Sequence, residues 1–285
     1  MTSATLTDRW PTRRIRRSRV SGSVVALVIS GLVVALLGLI ALFPQWFAST
    51  SPDTDDPLHA FTPPGARHPF GTDQLGRDIY SRVIYGAHIS VANGLVATVI
   101  GVLLGCLLGL VAANGGRWAD ALVMRATDVW LAFPEILLAL LIIALIGPGS
   151  TNIAVAIGFA AAPYYGRLVR GQALVVSRAE YVEAARVLGV PPVRYTLRHV
   201  LPNIAGPVVV LASLGTGTAI VAAAGLSLLG LGPLPPTPEW GAMLADGQGY
   251  LANAWWIAVA PGLAIVVVVL AVTILGRNLQ ARSIR

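Results

Sequence analysis

Glu183-Ala184-Ala185-Arg186-Val187-Leu188-Gly189, followed by His199-Val200-Leu201-Pro202, forms a polar island between two long apolar runs. A chain this apolar has little reason to keep an arginine-rich helix there unless something docks on it. The local code is helical. Ser177 and Glu180 have the spacing of a capping box, and Ala184 and Ala185 are strong helix formers. Gly189 suits a helix stop, and Pro191-Pro192 forbids continuation. The spacing predicts a helix over 177–190.

Working outward, the composition demands a bilayer. Apolar residues make up 55% and charged residues 12% of the 285, against roughly 25% charged in soluble domains. Mean hydropathy is +0.74. Crossing the hydrocarbon core takes about 20 apolar residues. Six windows satisfy that, at 22–43, 89–113, 128–147, 151–170, 204–231 and 254–276. The runs are continuous rather than alternating, which selects helices over a barrel. The expected fold is all-α integral membrane, with six transmembrane helices.

All 20 basic residues are arginine. A Walker A loop needs a lysine to reach the phosphates, so any ATP-driven engine must be a separate chain. Arginine also sets orientation. Seventeen lie before the first span, between spans two and three, between spans four and five, and after the last. Only Arg67, Arg77 and Arg82 fall on the opposite side. The positive-inside rule places both termini and the Glu183 loop in the cytoplasm. The net charge of +7 therefore reflects orientation, and nucleic-acid binding is not expected. The first apolar run exceeds a signal h-region of about 7–15 residues, so it reads as a retained span. Cys106, the single cysteine, packs as a small apolar residue.

The expected organisation is a basic tail over 1–21, a transmembrane domain over 22–276, and a second tail over 277–285. Within the domain, 44–88 is the first external segment and 171–203 the cytoplasmic loop. The external segment begins proline-rich. From Asp73 it turns helical in pattern, with Leu75, Ile79, Val83 and Gly86-Ala87 on one side, as in an amphipathic surface helix. Trp240, Tyr250, Trp255 and Trp256 suit an interfacial aromatic belt.

Three segments carry a family resemblance. The Glu183–Pro202 spacing resembles the signature loop of ABC importer permeases. His68-Pro69-Phe70-Gly71-Thr72-Asp73-Gln74-Leu75-Gly76-Arg77-Asp78 is similar to the N-terminal signature of the dipeptide/oligopeptide/nickel permeases, in their C-type partner. So is Gly225-Leu226-Ser227-Leu228-Leu229-Gly230-Leu231-Gly232, with Pro235-Pro236-Thr237-Pro238-Glu239-Trp240-Gly241 after it. One departure is the tail, Arg277 to Arg285, where the family usually carries an aspartate.

The resemblance implies a type I, MetI-like permease of a bacterial inner membrane, carrying peptides or, alternatively, nickel or another small solute. It implies no catalysis and no cofactor in this chain, with ATP and Mg used by partner ATPases. It implies a homologous B-type permease, two ATPase subunits or one fused ATPase, and an extracytoplasmic solute-binding protein. In the family, the loop holding Glu183, Ala184, Ala185, Arg186, Gly189, His199, Leu201 and Pro202 is a coupling helix that docks in the ATPase.

Asp128 and Glu135 are the acidic residues in or near a span core. Intramembrane carboxylates are costly and point to function, so both are candidate pathway residues. The alternative is a structural or partner-paired role, with Pro134 kinking the span beside Glu135 and Arg125 within reach of Asp128. From a different class, an ion-coupled secondary transporter would use the same two carboxylates as ion carriers. Gly101, Gly105 and Gly109 lay a smooth stripe on one helical face, for helix sliding or for static packing. Arg167 and Arg170 are expected to snorkel to the surface. His59 and His68, with Asp53, Asp55 and Asp56, lack tight metal-ligand spacing, so no metal site is expected.

Overall fold

The computed structural model describes residues 18–48 and 50–283. Most of the basic tail, including Arg9, Arg13, Arg14, Arg16 and Arg17, lies outside them. The described chain is helical, with no strand and one isolated bridge between Thr72 and Asp78.

Ten α-helices follow one another: α1 (Ser18–Leu42), α2 (Ile79–Asn114), α3 (Gly116–Leu131), α4 (Glu135–Ile146), α5 (Ser150–Val176), α6 (Glu180–Val187), α7 (Pro192–Tyr195), α8 (Leu201–Leu226), α9 (Trp240–Gln248) and α10 (Trp256–Ser283). Three helical stretches have the length and apolarity to cross a membrane, at Ile79–Asn114, Pro192–Leu231 and Trp256–Ala281. A fourth exists if α3 and α4 count together. Helix α1 adds the apolar stretch Leu27–Leu42, and α5 mixes its apolar run with Tyr164, Tyr165, Arg167 and Arg170.

Two expectations are corrected here. The window 128–147 is sharply broken rather than merely kinked: α3 and α4 meet at 92° across the Ala132–Pro134 break. Proline restricts the residue before it away from helix, and the chain turns there. The stripe of Ile79, Val83 and Ala87 does not lie on a surface helix. It belongs to the first turns of α2, and all three residues are buried in one cluster with Trp240 and Trp256. Gly76, at φ +77°, breaks the helical pattern upstream.

The most extensive helix pairing joins α2 to α5, and the glycine stripe explains it. A Cβ on Gly101 would sit 3.1 Å from the carbonyl of Gly158. One on Gly105 would sit 2.9 Å from the carbonyl of Ala162, and one on Gly109 2.6 Å from that of Gly166. Only glycine permits this approach. Around the pair are three apolar clusters. One gathers Ile79, Val83 and Trp240, the next Ile143, Ile157 and Leu226, and the last Val169, Val182 and Ile204. They follow α2 along its length, from Ala87 in the first to Leu110 against the last, about 35 Å at 1.5 Å per residue.

Candidate functional site

Helix α6 lies at the third cluster. Val182 and Ala185 are buried against Val169, Ala173 and Ile204, which leaves the rest of its surface outward. Tyr181, Val187 and Leu188 are exposed, the last two by 84% and 82%, and Val193 and Leu197 continue the strip. Glu183, Ala184 and Arg186 also face outward. The strip runs from α6 across α7 into the turn that follows, the kind of exposed apolar surface that contact sites use.

The ends of α6 differ from the capping-box expectation at one end only. Its N-cap is Ala179 and makes no side-chain cap bond. Ser177 instead closes α5, with its hydroxyl buried and unpartnered. The C-terminal end is a Schellman turn. Gly189, at φ +76°, donates its N–H to Arg186 O at 2.9 Å, and Val190 donates to Ala185 O at 3.0 Å. Pro192 then starts α7, which runs through a π turn at Thr196–Val200 into α8. Pro202 has no N–H for the carbonyl four residues back, and the wider turn accommodates that gap. His199 is half-buried, its ring 6.1 Å from Tyr181, and the Arg186 guanidinium covers Tyr195 at 4.9 Å.

Between α2, α4, α5 and α8 lies a cavity of about 290 Å³. Glu135, the first residue of α4, is on its wall with Thr98, Tyr164, Tyr165 and Thr218. Tyr165 is 3% exposed, held where a Cβ on Gly101 or Gly215 would strike it. Asp128 does not share the cavity. It pairs with Arg167, and Asp120 binds both Nε and a terminal nitrogen of Arg170. Both arginines are thus paired with α3 while still reaching the surface, Arg167 with its side chain 51% exposed and Arg170 with 31%. Their partners lie 39 and 50 residues away, beyond any local pattern.

The two remaining motifs meet at the far end of α2. Asp73 accepts from the N–H groups of Leu75 and Arg77, both at 2.9 Å, and from Arg77 Nε at 2.6 Å. Asp78 caps α2 through Ser81 N at 2.8 Å and holds His68 at 3.0 Å. Arg82, 4% exposed, donates to Pro52 O and Pro236 O. Glu239, 1% exposed, caps α9 through Gly241 N and Ala242 N and accepts from Ser90. Burial pushes the carboxyl of nearby Asp246 up, with Arg82 and Arg77 opposing. His59 is held by Asp56 at 2.7 Å, so the two histidines serve separate carboxylates.

Residues 89–285 match the family described as binding-protein-dependent transport system inner membrane component. The dipeptide transport system permease protein DppC of Alkalihalophilus pseudofirmus is 41% identical, covering 89% of this chain and 84% of the relative. The glutathione transport system permease protein GsiD of Escherichia coli is 42% identical, covering 94% and 87%. Among solved structures, the inward-facing MetNI methionine ABC transporter superimposes with a TM-score of 0.57 at 20% identity, over 70% of this chain and 95% of that one. That likeness concerns the fold alone. This chain belongs to the binding-protein-dependent transport system inner membrane component family, as a permease subunit of an ABC importer.

Proposed function

We propose that this chain forms half of the translocation pathway of a peptide importer, beside a homologous B-type permease. A separate ATPase pair, or one fused ATPase, supplies the energy with ATP and Mg, and an external solute-binding protein delivers cargo. The relatives named for dipeptide and glutathione transport support peptide chemistry. The arginine distribution supports cytoplasmic termini and six crossings, with α3–α4 as a broken one.

The observation that carries the reading is the outward strip of Tyr181, Val187, Leu188, Val193 and Leu197 over the buried anchor of Val182 and Ala185. In this reading α6 is the coupling helix, and Glu183, Ala184 and Arg186 join the strip in the ATPase groove. Ala185, Gly189, His199, Leu201 and Pro202 hold its shape. With Asp128 engaged by Arg167, Glu135 is the pathway carboxylate.

Co-purification tests it. Wild type is expected to bring down an ATPase, and Glu183→Arg or Leu188→Asp to lose it. Leu188 is 82% exposed, so the second change has little packing cost. Retention of the ATPase by both variants, with uptake intact, would overturn the docking assignment.

A further inference from the structure

The cavity beside Glu135 carries one carboxylate, the hydroxyls of Thr98, Thr218, Tyr164 and Tyr165, and no cationic side chain. Thr98 already donates its hydroxyl to Gly94 O at 2.8 Å, and Thr218 donates to Gly215 O at 2.9 Å. What these two groups can turn toward the cavity is oxygen lone pairs. Tyr164 and Tyr165 add aromatic rings, whose faces attract cations. Glu135 adds a carboxylate, and the rest of the wall is apolar apart from Gly215. Among the described residues no ion pair reaches Glu135, and Arg167 and Arg170 are committed to Asp128 and Asp120. An ionised carboxylate in a membrane helix is costly without a counter-charge, and among the described residues none is placed beside it, which leaves room for a cation from outside this chain.

We infer that Glu135 is the transit contact for the α-ammonium group of the cargo, with Thr98, Thr218 and the two tyrosines completing an ammonium pocket. The inference rests on the peptide reading above and adds the part of the peptide that is recognised. An ammonium is compact and carries three donors, which suits one carboxylate flanked by hydroxyl acceptors. The volume of about 290 Å³ is at the small end for ligand pockets, enough for the leading residue of a peptide. Every free peptide carries this group whatever its side chains, so a single such contact guides varied cargo without selecting by sequence.

The test uses the assembled transport complex and a diazirine-bearing dipeptide, with a free or an N-acetylated amine. After irradiation, labelling of α4 and α5 is read by mass spectrometry in wild type, Glu135→Gln and Glu135→Asp. The free-amine probe is expected to label wild type and Glu135→Asp. Losing a charged hydrogen bond should cut its labelling of Glu135→Gln about tenfold. The acetylated probe is expected to label all three weakly and equally. Equal labelling by both probes, or free-amine labelling unchanged in Glu135→Gln, would overturn the inference. A loss shared by both probes would do the same, pointing to a pair with the partner permease. Absence of dipeptide uptake by the wild-type complex would overturn the peptide reading itself.

Discussion

Trp240 donates its indole N–H to the backbone carbonyl of Val83 at 2.9 Å, joining positions 157 residues apart. Trp240 is 1% exposed, and its own N–H is held by the Ser90 hydroxyl at 3.0 Å. Trp240→Ala is expected to destabilise by about 3–5 kcal/mol. Trp240→Phe keeps most of the packing and should lose about 0.5–1.5 kcal/mol with the indole hydrogen bond, since the Val83 carbonyl keeps its place in the α2 ladder. Thermal denaturation of the detergent-solubilised protein, followed by size exclusion, orders the two.

Gly105 and Gly171 both sit inside helices, in opposite surroundings. A Cβ on Gly105 would lie 2.9 Å from Ala162 O and Gly166 N, whereas nothing lies within 4 Å of one on Gly171. Gly105→Ala should force α2 and α5 apart and lower the melting midpoint. Gly171→Ala should raise stability by about 0.5–1 kcal/mol, because alanine favours helix. Equal effects would refute the glycine contact.

Asp120 and Arg170 form a two-pronged pair between α3 and α5. Both are about one-third exposed, so its worth is within about 1 kcal/mol. Asp120→Arg should destabilise, and adding Arg170→Asp should recover most of the loss. Midpoints of the two single variants and the double variant close the cycle.

Replacing Gly189, at φ +76°, with alanine should cost about 1–2 kcal/mol for the left-handed turn. The loss should stay local. Hydrogen exchange should quicken in α6 while α2 and α5 remain protected.

Burial raises the carboxyl of Asp246, with Arg82 and Arg77 pulling the other way. A raised carboxyl favours the folded state at low pH, and that contribution is lost as pH climbs through its folded value. Asp246→Asn should therefore remove a fall in melting midpoint that wild type shows on going upward from about pH 4.

The sequence exposed the devices that act within one turn. Gly189 as a stop, Pro191-Pro192 as a break and the glycine stripe of α2 were all readable from spacing. What it hid depends on distant partners. Ser177 and Glu180 have capping spacing, but Ser177 is buried at the end of α5. The stripe of Ile79, Val83 and Ala87 fits a surface helix until Trp240 and Trp256 fold over it. Arg167 and Arg170 look free until α3 brings Asp128 and Asp120 beside them. Glu135 was legible as an anomaly, while its hydroxyl-lined surroundings required four helices in place.

From Pro192 the chain runs helically through a stretch of 40 residues to Leu231, broken only near its end by Gly230 at φ +82°. Gly215 lies about 35 Å along it, at 1.5 Å per residue, and touches Tyr165 on the cavity wall. In the coupling role proposed above, the strip on α6 and α7 is the handle of a crank whose other arm ends at the tyrosine. Rocking a rod of that length by about 5° displaces its far end by about 3 Å, roughly a hydrogen bond's reach. On that proposal a push passes from α7 to the tyrosine along helix alone, with no loop between them.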